Sequence, residues 1–248
     1  QGRKSSRLKK MCKKMSLLAL TAVVFLLIAF NFSPGLAAKY YSEQTDFTET
    51  FVPMTRYGWD KDALESCIYK EEGVDNAYYV WSKLSVQNWR KALQEYTDNQ
   101  EKWNITARFV KSDADLESCD IKIYIYDTYR DFPDYPAQTG AYTSVTFKDG
   151  DVGGEEKEKN NDKLDFRIYL SPLVLHGDGK TEINLPSYAF RNSAVHEVGH
   201  VLGLGHMQLQ KGYLMSPQFD FWETNEQLPI TTLELNALVK AYGTDGFN

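Results

Sequence analysis

The chain has 248 residues, 42% of them hydrophobic and 25% charged, enough to bury one ordinary globular core. Its formal charge is −6, but Arg3, Lys4, Arg7, Lys9, Lys10, Lys13 and Lys14 precede Lys39 with no acid among them, and the remainder carries 21 basic against 34 acidic residues, or −13. A nucleic-acid partner needs a basic face to neutralise phosphates, and this balance argues against one, so none is expected.

The basic leader runs into Leu17–Phe30, an apolar stretch of 14 residues. That is shorter than the roughly 20 a spanning helix needs. Asn31, Pro34 and Gly35 then break it ahead of Ala37 and Ala38, so residues 1–38 read as a signal peptide cleaved near Ala38. An uncleaved anchor is the alternative, because counting through Ala38 gives a 22-residue segment interrupted only by Asn31, Ser33, Pro34 and Gly35. Residues 39–57 are polar and without a period. They read as an extended segment, too short for a folded prodomain, ahead of a catalytic domain over 58–248.

Within that domain CIYKEE (67–72) reads as a short strand, and 77–96 as a helix with Val80, Leu84, Trp89 and Leu93 as its apolar stripe. Strands follow at 105–110 and at 120–126, where IKIYIY alternates, and then at 140–147 and 165–170. The last two flank KDGDVGGEEKEKNND, a loop solvated by composition. A second helix is expected over 188–202, ended by Gly203 and Gly205, and a final one over TTLELNALVKAY, capped by Thr231 or Thr232 with Glu234 and stopped at Gly243. Strands mixed with helices in this order predict an α+β or α/β sandwich built on one mixed sheet, of which α+β is the fold class adopted. Cys67 and Cys119 are left for the exported domain, either as a disulfide or as two small buried apolar residues.

The segment HEVGHVLGLGH holds three of the four histidines. His196 and His200 stand four apart, so a helix presents both imidazoles on one face to one metal ion. Glu197 lies one residue round, within reach of a water on that ion without ligating it. A third ligand on the next turn would point the wrong way. Gly203, which tolerates positive φ, lets the chain bend and return His206. Three neutral imidazoles leave one tetrahedral position for water, the pattern of a catalytic zinc site.

These residues resemble the metzincin pattern H-E-x-x-H-x-x-G-x-x-H, and Met215 in GYLMSPQF resembles the methionine turn that follows it. Pro217 stands where astacin-like and serralysin-like members carry Tyr. The likeness over 55–243 is instead to matrixins, through SCDIKIYI, Met215–Phe219 and LELNALVKAYG. The resemblance implies a twisted mixed five-stranded sheet with an active-site helix, a backing helix and a C-terminal helix. It also implies a secreted, monomeric zinc metalloendopeptidase with Glu197 as general base, a specificity pocket walled by Pro217 and Phe219, and protein or peptide substrates laid along the strand at 140–146. Cys67 and Cys119 would head neighbouring parallel strands and pair. A membrane partner is expected only if the leader stays uncleaved. Two departures stand out: Met207 replaces the usual Ser after the third histidine, and His176 alone cannot build the family's structural zinc site. The acidic loop with Asp149, Asp151, Glu155 and Glu156 reads as a solvated charge run, with calcium (Ca2+) as the alternative the resemblance implies. The alternative for the chain as a whole is a non-catalytic zinc-bearing protein of the same fold.

Overall fold

A computed structural model describes residues 57–133, 140–147, 158–160, 164–175, 180–207, 213–217 and 226–247, all within one compact unit, Tyr40–Asn248. The elements that position the site are β1 (Tyr57–Trp59), β2 (Ala63–Lys70), α1 (Asn76–Thr97), β3 (Asn104–Phe109), β4 (Ile121–Ile125), β5 (Ala141–Phe147), β6 (Glu158–Asn160), β7 (Leu164–Leu170), β8 (Leu173–Leu175), β9 (Glu182–Asn184), α2 (Ser187–Val201) and α3 (Thr232–Tyr242).

Five strands form one sheet in the order β3-β2-β4-β7-β5. The first four are parallel and β5 runs antiparallel along β7, which makes β5 an edge. This is the mixed five-stranded α+β architecture expected from the sequence. The alternation in IKIYIY sorts β4 onto two faces: Ile121, Ile123 and Ile125 join Ile68, Phe166, Ile168 and Leu170 in the main core. Tyr124 joins Cys67, Tyr169, Tyr129 and Phe132 in a second cluster. A central strand is covered on both sides, so even Lys122 is only 2% exposed. It is held by Asp165 at 2.9 Å and Glu117 at 2.6 Å.

Two local expectations are corrected. The second strand starts at Ala63 rather than Cys67 and ends before Glu71, because its parallel register with β3 begins at Ala63↔Asn104. In α1 the buried stripe is Ser82, Ser85, Val86, Trp89, Ala92 and Leu93, while Val80 and Leu84 are 47% and 43% exposed. At about 100° per residue, Val80 and Leu84 lie about 140–180° round the helix from Trp89 and Leu93, so the four cannot share a face. Two serines fill the stripe instead, each satisfying its hydroxyl on a carbonyl three or four residues back.

The helix α3 begins as its sequence suggests, with Thr231 as the cap and Glu234 reaching back to it in a capping box. Helix α2 is fixed from behind by buried donors. Trp89 Nε1 donates to Val195 O and Trp59 Nε1 to Val201 O, both at 2.8 Å, and Tyr242 Oη donates to Leu202 O at 2.9 Å. The last two satisfy carbonyls at the helix end that have no partner within the helix, which anchors the end from which the chain must turn.

Candidate metal centre

Helix α2 carries His196, Glu197 and His200, and Gly203 immediately beyond it has φ +105°, the left-handed turn that a Cβ would strain. Gly203 N donates to His200 O and Leu204 N to Gly199 O, closing the helix as the chain reverses. His206 returns beside the helix. Its Nε2 lies 3.2 Å from His196 Nε2 and 3.1 Å from His200 Nε2.

Main-chain carbonyls decide which ring nitrogens face inward. His196 Nδ1 is 2.6 Å from Leu214 O, and His200 Nδ1 is 2.7 Å from Leu204 O. A carbonyl only accepts, so each Nδ1 carries the proton and each Nε2 presents a lone pair to the cluster. At most His206 Nε2 can bring a proton into it, to one neighbour. The remaining lone pairs face one another unless a cation lies among them. Tetrahedral zinc with Zn–N near 2.0–2.1 Å requires ligand nitrogens about 3.3 Å apart, close to the observed spacings. The donor set therefore fits zinc.

Electrostatics agree. Burial, then the positive charge of neighbouring His200, holds His196 well below the ordinary imidazole range. Burial pushes His200 down to about 4 against the opposing bond to Leu204, and lowers His206 as well. All three are held toward the neutral form, the one in which an imidazole can ligate a metal. Glu197 is 6% exposed, and burial pushes it up to about 7 against the lowering effect of its hydrogen bond from Thr143. A second group of ligand-type side chains, Glu65, Cys67 and Cys119, has its two sulfurs committed to each other.

Against this geometry, the matrixin peptidase model matches residues 68–243, from the middle of β2 to the end of α3. The chain belongs to the matrixin family. A comparison with curated proteins returns no match. Matrixins are zinc metalloendopeptidases, and the histidine cluster lies within the matched span.

The remaining matrixin positions fall as follows. Met215 is fully buried beneath α2: a Cβ on Gly199 would stand 2.6 Å from its Sδ. Met207 is buried as well, and its N–H donates to Met215 O at 2.7 Å, tying the segment of His206 to that of Met215. Pro217 is exposed two residues further on, while Phe219 lies outside the described residues. His176 and the acidic residues Asp149, Asp151, Glu155 and Glu156 also lie outside them. Cys67 and Cys119 are disulfide-bonded with Cα atoms 5.9 Å apart, though Cys67 stands mid-strand opposite Lys122 rather than at a strand start. Sequence reasoning missed Thr143, whose hydroxyl touches Glu197 across 54 residues of chain. No local pattern marks it.

Proposed function

We propose that this matrixin is a secreted zinc-dependent endopeptidase in which His196, His200 and His206 hold the metal and Glu197 is the general base. The supporting observation is the convergence of three Nε2 atoms, two of them with lone pairs turned inward by carbonyl-fixed tautomers, beside a buried carboxylate next to His196 on the same helix. Zinc there supplies Lewis acidity and lowers the pKa of a water toward 7.

Glu197 takes the water's proton on a carboxylate oxygen as the peptide carbonyl is attacked, then delivers it to the departing amine nitrogen. The substrate lies extended on the edge of β5, which carries no further strand among the described residues, and main-chain pairing there positions a peptide with little demand on its sequence. An apolar side chain following the scissile bond enters a pocket walled by Pro217 and Phe219.

Secretion rests on the leader at 1–38 and on the disulfide, which suits an oxidising compartment. Among the described residues no helix is long and apolar enough to cross a membrane. A monomer acting on protein or peptide substrates is the assembly we propose. The test is hydrolysis of an internally quenched peptide library by the protein from Lys39 onward. Cleavage should vanish with a zinc chelator and return with added zinc. Chelator-insensitive cleavage, or none with zinc bound, would sink the reading.

A further inference from the structure

Thr143 occupies the middle of β5, opposite Ile168 of β7. Its Oγ1 lies 2.7 Å from Glu197 Oε2 and 3.1 Å from Glu197 O. A hydroxyl has one proton to give, and the closer, charge-bearing acceptor takes it. The bond engages one oxygen of a nearly buried carboxylate and fixes the plane of the group, which leaves Oε1 as the oxygen to exchange a proton.

The main chain of the same residue faces elsewhere. Ser171 N donates to Gly140 O at 2.7 Å, one step before the pair Ala141↔Leu170. Bonded and non-bonded pairs alternate along an antiparallel ladder. Gly140, Tyr142, Ser144 and Thr146 therefore turn their main-chain groups to β7, and Thr143 turns its N–H and C=O to the open side. Among the described residues β5 has no strand on that side. A peptide added along the edge would pair with Thr143 through the backbone while the Thr143 side chain holds the base.

The geometry points to Thr143 as a positioning residue that couples an extended substrate on the β5 edge to the orientation of the Glu197 carboxylate. This rests on the peptidase reading above. The strand that would pair with the peptide already holds Glu197 Oε2 through the Thr143 hydroxyl, so the edge that fixes the scissile bond also fixes Oε1. The hydroxyl thus acts on turnover rather than on substrate affinity.

The experiment compares Thr143→Val, which keeps the branched shape and loses the hydroxyl, with Thr143→Ser, which keeps the hydroxyl. Each is made alone and with Glu197→Ala. On one cleavable peptide, Thr143→Val should lower kcat by about 10- to 100-fold, the usual loss when a supporting partner of a metal-site residue is removed. KM and zinc content should stay within about twofold. Thr143→Ser should stay within about threefold of wild type in kcat. In the Glu197→Ala background Thr143→Val should add less than about twofold, because no carboxylate remains to orient. The metal-free protein supplies a readout apart from activity: Thr143→Val should lower Tm when Glu197 is present and leave it unchanged when Glu197 is Ala. If Thr143→Val does not fold, Thr143→Ala carries the same comparison. Wild-type kcat in Thr143→Val, a Ser variant as impaired as Val, or a loss confined to KM or zinc content would each overturn the proposal. No cleavage of the peptide by the zinc-loaded wild-type protein would overturn the peptidase reading instead, and so is distinguishable from failure of this one.

Discussion

Gly199, between Val198 and His200 on α2, packs closely against Met215 and Trp89 beneath the histidine cluster. A Cβ there would meet Met215 Sδ at 2.6 Å, Trp89 Cζ2 at 3.1 Å and Met215 Cε at 3.2 Å. Both neighbours are fully buried, so neither relaxes into solvent. On an exposed helix Gly→Ala stabilises by about 1 kcal/mol. Overfilling a packed core costs about 1–3 kcal/mol. Gly199→Ala should therefore lose up to about 2 kcal/mol net, which at roughly 2–4 °C per kcal/mol lowers Tm by up to about 8 °C. The displacement also reaches the ligands. Met215 adjoins Leu214, whose carbonyl fixes the His196 tautomer at 2.6 Å, and Met215 O accepts from Met207, next to His206. Zinc affinity should fall by about tenfold or more. Thermal unfolding of the metal-free protein and zinc competition against a chromophoric chelator measure the two effects. A variant that melts higher, with unchanged zinc affinity, would refute the claim that Met215 is wedged against α2.

Removing the disulfide by Cys67→Ser with Cys119→Ser opens a loop of sequence separation 52. Loop-closure entropy then predicts a loss of about 4 kcal/mol in denaturant unfolding, with zinc content unchanged in the folded fraction. Asp165 is raised by burial, but its bonds to Lys122 and Arg167 outweigh that and hold it below the ordinary carboxylate value. A depressed folded pKa contributes stability above about 3.8 that is lost as pH falls through the folded value. Asp165→Asn should therefore flatten the acid limb of stability below about pH 4, and should cost on the order of 3 kcal/mol at neutral pH by stranding part of the Lys122 charge. His200→Ala should lose zinc stoichiometry at limiting metal and regain part of its activity when zinc is raised, as measured by metal analysis and peptide cleavage.

The clustering of the three histidines was legible because its information is local. Two histidines a helical turn apart, an adjacent acid, and a glycine at the bend fix geometry within 11 residues, and Gly203 does adopt the positive φ this requires. The alternating β4 strand and the Thr231 cap were legible for the same reason. Contacts that join distant segments were not. Ser82 and Ser85 occupy the buried face of α1, which an apolar count passes over in favour of Val80 and Leu84. The three-residue pairings β1–β6 and β8–β9 carry too few residues to show a period. Trp89 reads as part of an apolar stripe, yet its indole N–H, with that of Trp59, holds helix α2 from behind. Thr143 looks like an ordinary strand residue until the sheet brings its hydroxyl to Glu197.

The most direct test of the central claim is a paired measurement on Glu197→Gln, which keeps the size of the side chain and removes its capacity to accept a proton at neutral pH. Zinc content and initial rate on one cleavable peptide are measured in parallel with wild type. Because the base is separate from the three ligands, the variant should bind one zinc per chain and fold normally. Its hydrolysis should fall by at least about 10²- to 10⁴-fold. Wild-type turnover with zinc bound would contradict the role of Glu197. Loss of zinc on this substitution would contradict the division between ligands and base.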